Sequence, residues 1–304
     1  MLLPAIRSMR LRTLPLSLAG VVCGIGLALT FAQQPSSLSG WRILFLLLTT
    51  VSLQILSNLS NELGDYLSGT DSAERQGPNY SLQQGTLSEH GLRRMIRGFA
   101  IVCCLFGIAM TYFTFGTLLA IEPLLLLLLG AAAIWAAIHY TLGKNPYGYR
   151  GWGDLFVFIF FGLVSVLGGY YVTAVALPPC EMFLPASAIG LFSVGVLNVN
   201  NIRDMETDAD TRSTIPLKIG QRRAKIYQTL LISLGWLCLL IFTTVAGHGW
   251  PYYLYLVIMP LYVVHLVGVW RHSGRRLDPM LPLLVMSTFA LSLLFAFCPL
   301  LFSL

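Results

Sequence analysis

Charge is what this chain most lacks. Only 11% of its 304 residues are Asp, Glu, Lys or Arg, whereas an ordinary soluble domain carries about 25%. Hydrophobic residues make up 56%, and mean hydropathy is +0.74. A water-soluble fold this apolar would expose more hydrophobic surface than water tolerates, so composition points to a membrane protein. Cysteine chemistry is also missing. Cys23, Cys103, Cys104, Cys180, Cys238 and Cys298 form no Cys-x-x-Cys or Cys/His ligand spacing, and most lie inside apolar runs. They read as small buried hydrophobes, which excludes a disulfide framework or a zinc site. The net charge of +6 does not imply a nucleic-acid partner, because the basic residues sit in short loops between apolar runs and read as membrane orientation.

Apolar runs of spanning length fall at about 14–32, 43–60, 96–118, 121–141, 154–176, 184–201, 226–247, 251–270 and 281–302. Each approaches the ~20 residues that cross a bilayer. The expected fold class is therefore an all-α integral membrane bundle of nine transmembrane helices, forming one polytopic domain over 1–304. Arg7, Arg10 and Arg12 before the first run, with Ala28 to Ala32 at its end, could imitate a signal peptide and its cleavage site. The run is long for that purpose and reads as a retained first helix. Breaks are expected at Glu122-Pro123 and around Gly247-His248-Gly249-Trp250-Pro251. Eighteen of the nineteen basic residues fall in the N-terminus and alternate loops, and only Arg42 falls on the other side. The basic side should face the cytoplasm, with the N-terminus inside and the C-terminus outside.

Orientation explains the basic residues but not the acids. Nine of the thirteen acids lie in the loops after the second and sixth helices. They are Glu62, Asp65, Asp71, Glu74 and Glu89, then Asp204, Glu206, Asp208 and Asp210. Aligning Asn61 with Asn200 gives Asn-x-x-x-Asp-x5-Asp in both clusters, a weak internal repeat offset by 139 residues. Acidic motifs thus occupy 58–78 and 198–220, one in each half. If the helices continue, Asn61 and Asp65 share a face, and Asn200, Asp204 and Asp208 stack over two turns. Gathered carboxylates repel one another, and a hard divalent cation resolves the conflict. Mg2+ is commonly held by one or two carboxylates plus substrate phosphates, so two facing clusters could hold two ions with a diphosphate between them. Nearby arginines would add donors to phosphate oxygens. Glu74, Glu89 and Glu206 read instead as solvated loop acids.

Several stretches in order resemble the UbiA superfamily of intramembrane aromatic prenyltransferases. Arg10-Leu11-Arg12-Thr13-Leu14-Pro15 opens the first helix as in that family. Asn61 through Asp65, Gly69 and Asp71, followed by Arg75, Gly77 and Pro78, resembles its first acidic motif. Asn200-Asn201-Ile202-Arg203-Asp204 through Asp208 resembles the second, and Lys218-Ile219-Gly220 ends that loop. Tyr140 to Gly143, Pro146, Gly148-Tyr149 and Gly151 to Asp154 are most like the branch acting on 1,4-dihydroxy-2-naphthoate. The similarity covers about the first seven helices. One residue departs from the pattern: Glu62 stands where the family usually has Asp.

The resemblance implies Mg2+-dependent transfer of a polyprenyl group from its diphosphate to 1,4-dihydroxy-2-naphthoate. CO2 and diphosphate leave, giving demethylmenaquinone on the way to menaquinone, in a bacterial cell (inner) membrane. It implies Asp65 and Asp71 on one ion and Asp204 and Asp208 on the other, with Glu62 as a further ligand. Asn61, Asn200 and Asn201 would support these sites, and Arg75, Arg12, Lys144 and Arg212 would touch the diphosphate. Asn58, Tyr140, Tyr149 and Lys218 complete the expected substrate-binding set. Arg10 and Arg150 could equally be orientation anchors.

Asp154 is a candidate base for the acceptor hydroxyl, or a structural hydrogen-bond acceptor. Tyr66, Tyr140, Tyr147 and Tyr149 could line a cation pocket or be ordinary interface residues. His139 and His265 have no ligand partner in sequence and read as satisfied core or interface residues. Two other readings remain open. One is a prenyltransferase with another acceptor such as 4-hydroxybenzoate. The other is a secondary transporter, which would keep its acids near the bilayer midplane on broken helices rather than at helix ends.

Overall fold

The computed structural model describes residues 2–32, 40–69, 81–209, 211–246 and 249–303. Among them there is no strand, and nine helices are long and apolar enough to cross a membrane. These spans are α1 (Leu3–Phe31), α2 (Gly40–Leu67), α3 (Glu89–Phe115), α4 (Ile121–His139), α5 (Gly153–Ala174), α6 (Cys180–Arg203), α7 (Gln221–Ala246), α8 (Trp250–Arg271) and α9 (Gly274–Leu300). The number and order match the apolar runs.

The ends carry the differences. α2 runs past the apolar sequence to Leu67, so Asn61 and Asp65 do share a helical face. The second column is not straight. Helix α6 ends at Arg203, Asp204 leaves helical geometry at φ −95° and ψ 9°, and a short helix Met205–Asp208 follows. Asp204 N–H still bonds Asn200 O (3.1 Å), and Asp208 N–H bonds Asp204 O (2.9 Å), so the turn tightens without losing its ladder. α1 is interrupted near its start by Arg10 in the left-handed region (φ 49°), which separates Leu2–Ser8 from Leu14–Phe31. Pro15 sits in the first turn of the second piece, where its missing N–H costs nothing. The expected break at Glu122-Pro123 falls earlier, at the left-handed C-cap Gly116 (φ 72°), and Pro123 lies just inside α4.

Helix α1 packs along α2, α5 and α9. Glycine permits the α1–α5 approach: a Cβ on Gly24 would overlap the Val166 carbonyl and sit 2.8 Å from Tyr170 N. Gly162 of α5 similarly faces Gly190 of α6. Small residues bring helix backbones together where no hydrophobic effect drives association. α2 packs on α3 and α4, while α6 packs on α5 and α7. The large buried aromatics Phe192, Trp236, Phe242, Tyr255, Tyr262 and Phe295 fill the α6–α9 side. His265 is buried there, bonded to Gln228 (3.0 Å) and Met280 O (3.0 Å), and His139 bonds Trp135 O (3.0 Å). α5 contains a π-helical stretch, Phe158–Val164.

Gly24→Leu should force α1 from α5 and destabilise the protein by at least ~1–3 kcal/mol, as overpacking does. A thermal midpoint in detergent equal to wild type would refute this account of the packing.

Candidate active site

A cavity of about 360 Å³ lies among α1, α2, α4 and α5. Its chemistry is divided by depth. Arg10, Asn61, Asp65, Tyr140, Asn200 and Arg212 line one end, which is the basic-loop side of the spans. Val21, Leu46, Met110, Leu126 and Val172 line the other. Along α2, Asp65 and Leu46 are nineteen residues apart, about 28 Å of helix. That nearly equals the ~30 Å of a bilayer's hydrocarbon core.

Charge at the polar end is arranged around Arg212. Its Nη2 donates to Asp65 Oδ1, and its Nε lies 3.7 Å from Asp208 Oδ2. Asp65 belongs to the first acidic motif and Asp208 to the second, so one guanidinium spans carboxylates from both halves. All three side chains are largely buried. Burial disfavours the charge on Arg212, but Asp65 and Asp208 outweigh it and raise the pKa above its ordinary value.

The Tyr149 hydroxyl donates to Asp65 Oδ1 (2.8 Å) and lies 3.0 Å from Ser68 Oγ. The Arg212 guanidinium also sits 4.8 Å from the Tyr149 ring centroid. Burial, then the Asp65 charge, pushes the Tyr149 phenol up, and burial pushes Tyr140 up to about 12. Both phenols are therefore proton donors at neutral pH. A backbone bond from Ser213 N–H to Tyr149 O (2.8 Å) joins the loop after α4 to the loop after α6. The same two loops meet again where Lys218 Nζ donates to Arg150 O (3.3 Å).

Asn61 lines the cavity and accepts from Thr141 Oγ1 (3.3 Å). Asn200 lines it too, while accepting from Arg203 (2.8 Å). Asn201 is buried on α6. Asp204 is buried but held by Arg203 in two bonds, 2.8 and 2.6 Å, away from the cavity lining. The same arginine reaches Asp278 (2.8 Å) at the start of α9. The roles of Arg203 and Asp278 had no sequence signal beyond the adjacency of Arg203 to Asp204.

Glu62 turns to the other side of α2 from the cavity. Its Oε1 accepts from Leu82 N–H (2.9 Å), and among the described residues its buried Oε2 has no partner. The expectation of Glu62 as a metal ligand thus meets a carboxylate that anchors the loop before α3. Asn58 also serves packing: it donates to Met9 O (2.9 Å) and Thr13 Oγ1 (2.9 Å), fixing the interrupted start of α1. Asp154 accepts from Tyr227 (3.0 Å) across α5 and α7, outside the cavity lining. Arg12, Lys144 and Lys218 are exposed, as are Glu89 and Glu206. Asp71, Glu74, Arg75 and Asp210 lie outside the described residues.

A rim of stacked rings borders the polar end. Tyr147 stacks on Phe156 (centroids 4.0 Å), and Trp135 lies 6.2 Å beyond it. Tyr140 meets Tyr147 edge-on at 5.4 Å. A ring entering here finds both faces and edges to pack on.

Comparison with known proteins gives a consistent picture. The model of the UbiA prenyltransferase family matches residues 18–288. The chain is 36% identical over 294 residues to the 1,4-dihydroxy-2-naphthoate octaprenyltransferase of Haemophilus influenzae, covering 94% of this chain and 92% of that one. It is 36% identical over 275 residues to the Escherichia coli enzyme of the same name, covering 90% and 86%. A UbiA homolog from Archaeoglobus fulgidus, bound to DMAPP and Mg2+, superposes with a TM-score of 0.66 over 98% of both chains at 16% identity.

Arg212→Met would take away the cation that the buried Asp65 and Asp208 share. It should cost about 3 kcal/mol, in line with breaking buried ion pairs. The double variant Asp65→Asn/Arg212→Met should lose less than the sum of its single changes. Strict additivity in detergent melting curves would show that the two groups are not coupled.

Proposed function

The chain belongs to the UbiA prenyltransferase family, and from that premise we propose that it transfers a polyprenyl group from polyprenyl diphosphate to 1,4-dihydroxy-2-naphthoate, releasing CO2 and diphosphate. The observation that carries this reading is a single cavity with Asp65, Arg212 and Asn200 at its head and an apolar body behind. A diphosphate with an isoprenoid tail has the same division. The acceptor follows from the naphthoate octaprenyltransferases to which the chain is similar along most of its length. They favour naphthoate over 4-hydroxybenzoate. The acids lie at helix ends, which favours catalysis over carriage.

The donors at the head of the cavity suit Mg2+. They are hard oxygens, and a cationic guanidinium already bridges Asp65 and Asp208. Among the described residues, no group of three or more His, Cys, Asp or Glu gathers there. Substrate phosphates would therefore complete the coordination, as is usual for this ion. Asp65 and Asp208 would hold it, with Asn61 and Asn200 beside them, and Asp71 and Asp204 are proposed as further ligands. Bound there, Mg2+ would neutralise charge growing on the departing diphosphate.

This chain's own groups do the rest. Arg212 donates to phosphate oxygens once substrate competes for it. Tyr149 keeps Asp65 oriented, and Asn200 offers a neutral donor. Tyr140, Tyr147 and Phe156 hold the acceptor ring near the allylic carbon, and their π faces favour positive charge developing there. The apolar walls exclude the water that would otherwise quench the cation. As the allylic carbon–oxygen bond breaks, its electron pair leaves with diphosphate. The ring carbon bearing the carboxylate forms the new carbon–carbon bond, and the electron pair of its carboxylate bond restores the ring as CO2 departs. Asp154, paired with Tyr227, positions α5 against α7 and takes no proton in this scheme. The basic loops support a head at the cytoplasmic face of a cell membrane, with the N-terminus on that side.

Asp65→Asn and Asp208→Asn should each lower prenyl transfer by about 10²–10³, the usual loss for a group that stabilises transition-state charge. Chelation of divalent metal should stop the reaction. Purified protein, a prenyl diphosphate and a panel of aromatic acids, with products identified by mass, tests all three points. Wild-type turnover in either variant, or in excess chelator, would defeat the assignment.

A further inference from the structure

Arg203 does not line the cavity, yet it is 3% exposed and makes four hydrogen bonds at the end of α6. Its Nε and Nη2 hold the two oxygens of Asp204 (2.8 and 2.6 Å). Nη2 also donates to Asn200 Oδ1 (2.8 Å), and Nη1 donates to Asp278 Oδ1 (2.8 Å). The lone pairs of Asp204 are thus directed at the arginine. Its neighbours one turn away on either side, Asn200 and Asp208, belong to the polar cluster. To serve a cation in that cluster, Asp204 must loosen from Arg203. Removing the partner of a buried charge is strongly unfavourable, so the guanidinium needs a second counter-charge.

Asp278 supplies it from 75 residues further along the chain. It follows the opening turn of α9, Gly274–Leu277. Leu277 is fully buried in a cluster with Val199 and Ile202 of α6, and Asp278 N–H bonds Arg275 O (3.1 Å). Packing therefore brings Asp278 to Arg203, and the helix that carries it shows no sequence motif. Asp278 differs from Asp204 in its surroundings. Its side chain is 39% exposed, against 3% for Asp204, and it does not line the cavity.

We propose that Asp278 is a positioning residue for the second acidic motif. It keeps Arg203 neutralised when Asp204 exchanges the guanidinium for divalent metal. This rests on the reading of Asp204 as a ligand. With Asp278 present, Arg203 stays in place, bonded to Asn200 and to one carboxylate, whichever way Asp204 turns. Without it, Asp204 is the only counter-charge of a buried arginine, and its release is opposed. Asp278 thus governs metal affinity from outside the cavity and ties α9 to the site.

The test uses the full chain in detergent, with Mn2+ as the probe and saturating geranyl S-thiolodiphosphate as an uncleaved donor analogue. Bound Mn2+ is read by electron paramagnetic resonance. Asp278→Asn should raise the Kd for Mn2+ by roughly five- to tenfold, the effect of one partly exposed ion pair. Asp278→Glu should restore it to within about twofold, because the charge returns. The Mg2+ concentration that half-saturates transfer should rise with the Mn2+ Kd. In an Asp204→Asn background, Asp278→Asn should have no further effect, since no carboxylate then leaves Arg203. Arg203→Lys keeps the charge but loses the two-point grip on Asp204, so it should lower the Kd. It provides the test if Asp278→Asn does not fold. A Kd unchanged by Asp278→Asn, one raised equally in the Asp204→Asn background, or one not lowered by Arg203→Lys would reduce the Arg203–Asp278 pair to a tie between α6 and α9 and overturn the proposal. Wild-type affinity in Asp204→Asn alone would instead defeat the reading of Asp204 as a ligand.

Discussion

Two carboxylates far apart in sequence share one guanidinium in a place where water is scarce. Asp65 and Asp208 would repel each other there, where little water screens them. Arg212 between them removes that conflict and is itself held charged by both. Buried ion pairs of this kind seldom add net stability, but losing one member is expensive. The local structure serves this arrangement. Helix α6 ends at Arg203, the chain turns at Asp204, and the short helix Met205–Asp208 carries the second carboxylate onward. Tyr149 approaches from the loop after α4 and is tied to Ser213, the neighbour of Arg212.

The cavity behind this cluster follows from helix packing. Glycines draw α1 close to α5, and large aromatics fill the α6–α9 side, so space is left among α1, α2, α4 and α5. The resulting chamber is ionic at one end and apolar for most of a bilayer's depth. A diphosphate headgroup with a lipid-like tail needs both environments at once. A soluble site could not offer the second without first burying it from water.

Much of this was legible beforehand. Nine apolar runs became nine spans among the described residues, because a bilayer demands that every backbone group be bonded within its own helix. Asn61 and Asp65 were readable as one face, since a four-residue spacing on a helix permits little else. The two histidines without ligand partners are bonded as core or interface residues are. The partners of the charges were not legible. Asp204 looked equivalent to Asp65, yet Arg203 and the distant Asp278 engage its surroundings. Glu62 looked like a ligand because it follows Asn61, but a helix turns about 100° per residue and sends it to Leu82 instead. Asn58 fell to the same geometry and clamps Met9 and Thr13.

Sequence by itself determined the class, the number of spans and the sorting of charge between faces. Those depend on transfer of side chains and backbone between water and hydrocarbon, which each segment expresses independently of its neighbours. Tertiary structure alone decided which acid meets which base, and where the cavity begins and ends. Pairings such as Asp65 with Arg212, or Arg42 with Thr173, depend on helix rotation and on the closeness of packed backbones. A single ångström or a fraction of a turn changes the partner, and no local pattern in the chain records that.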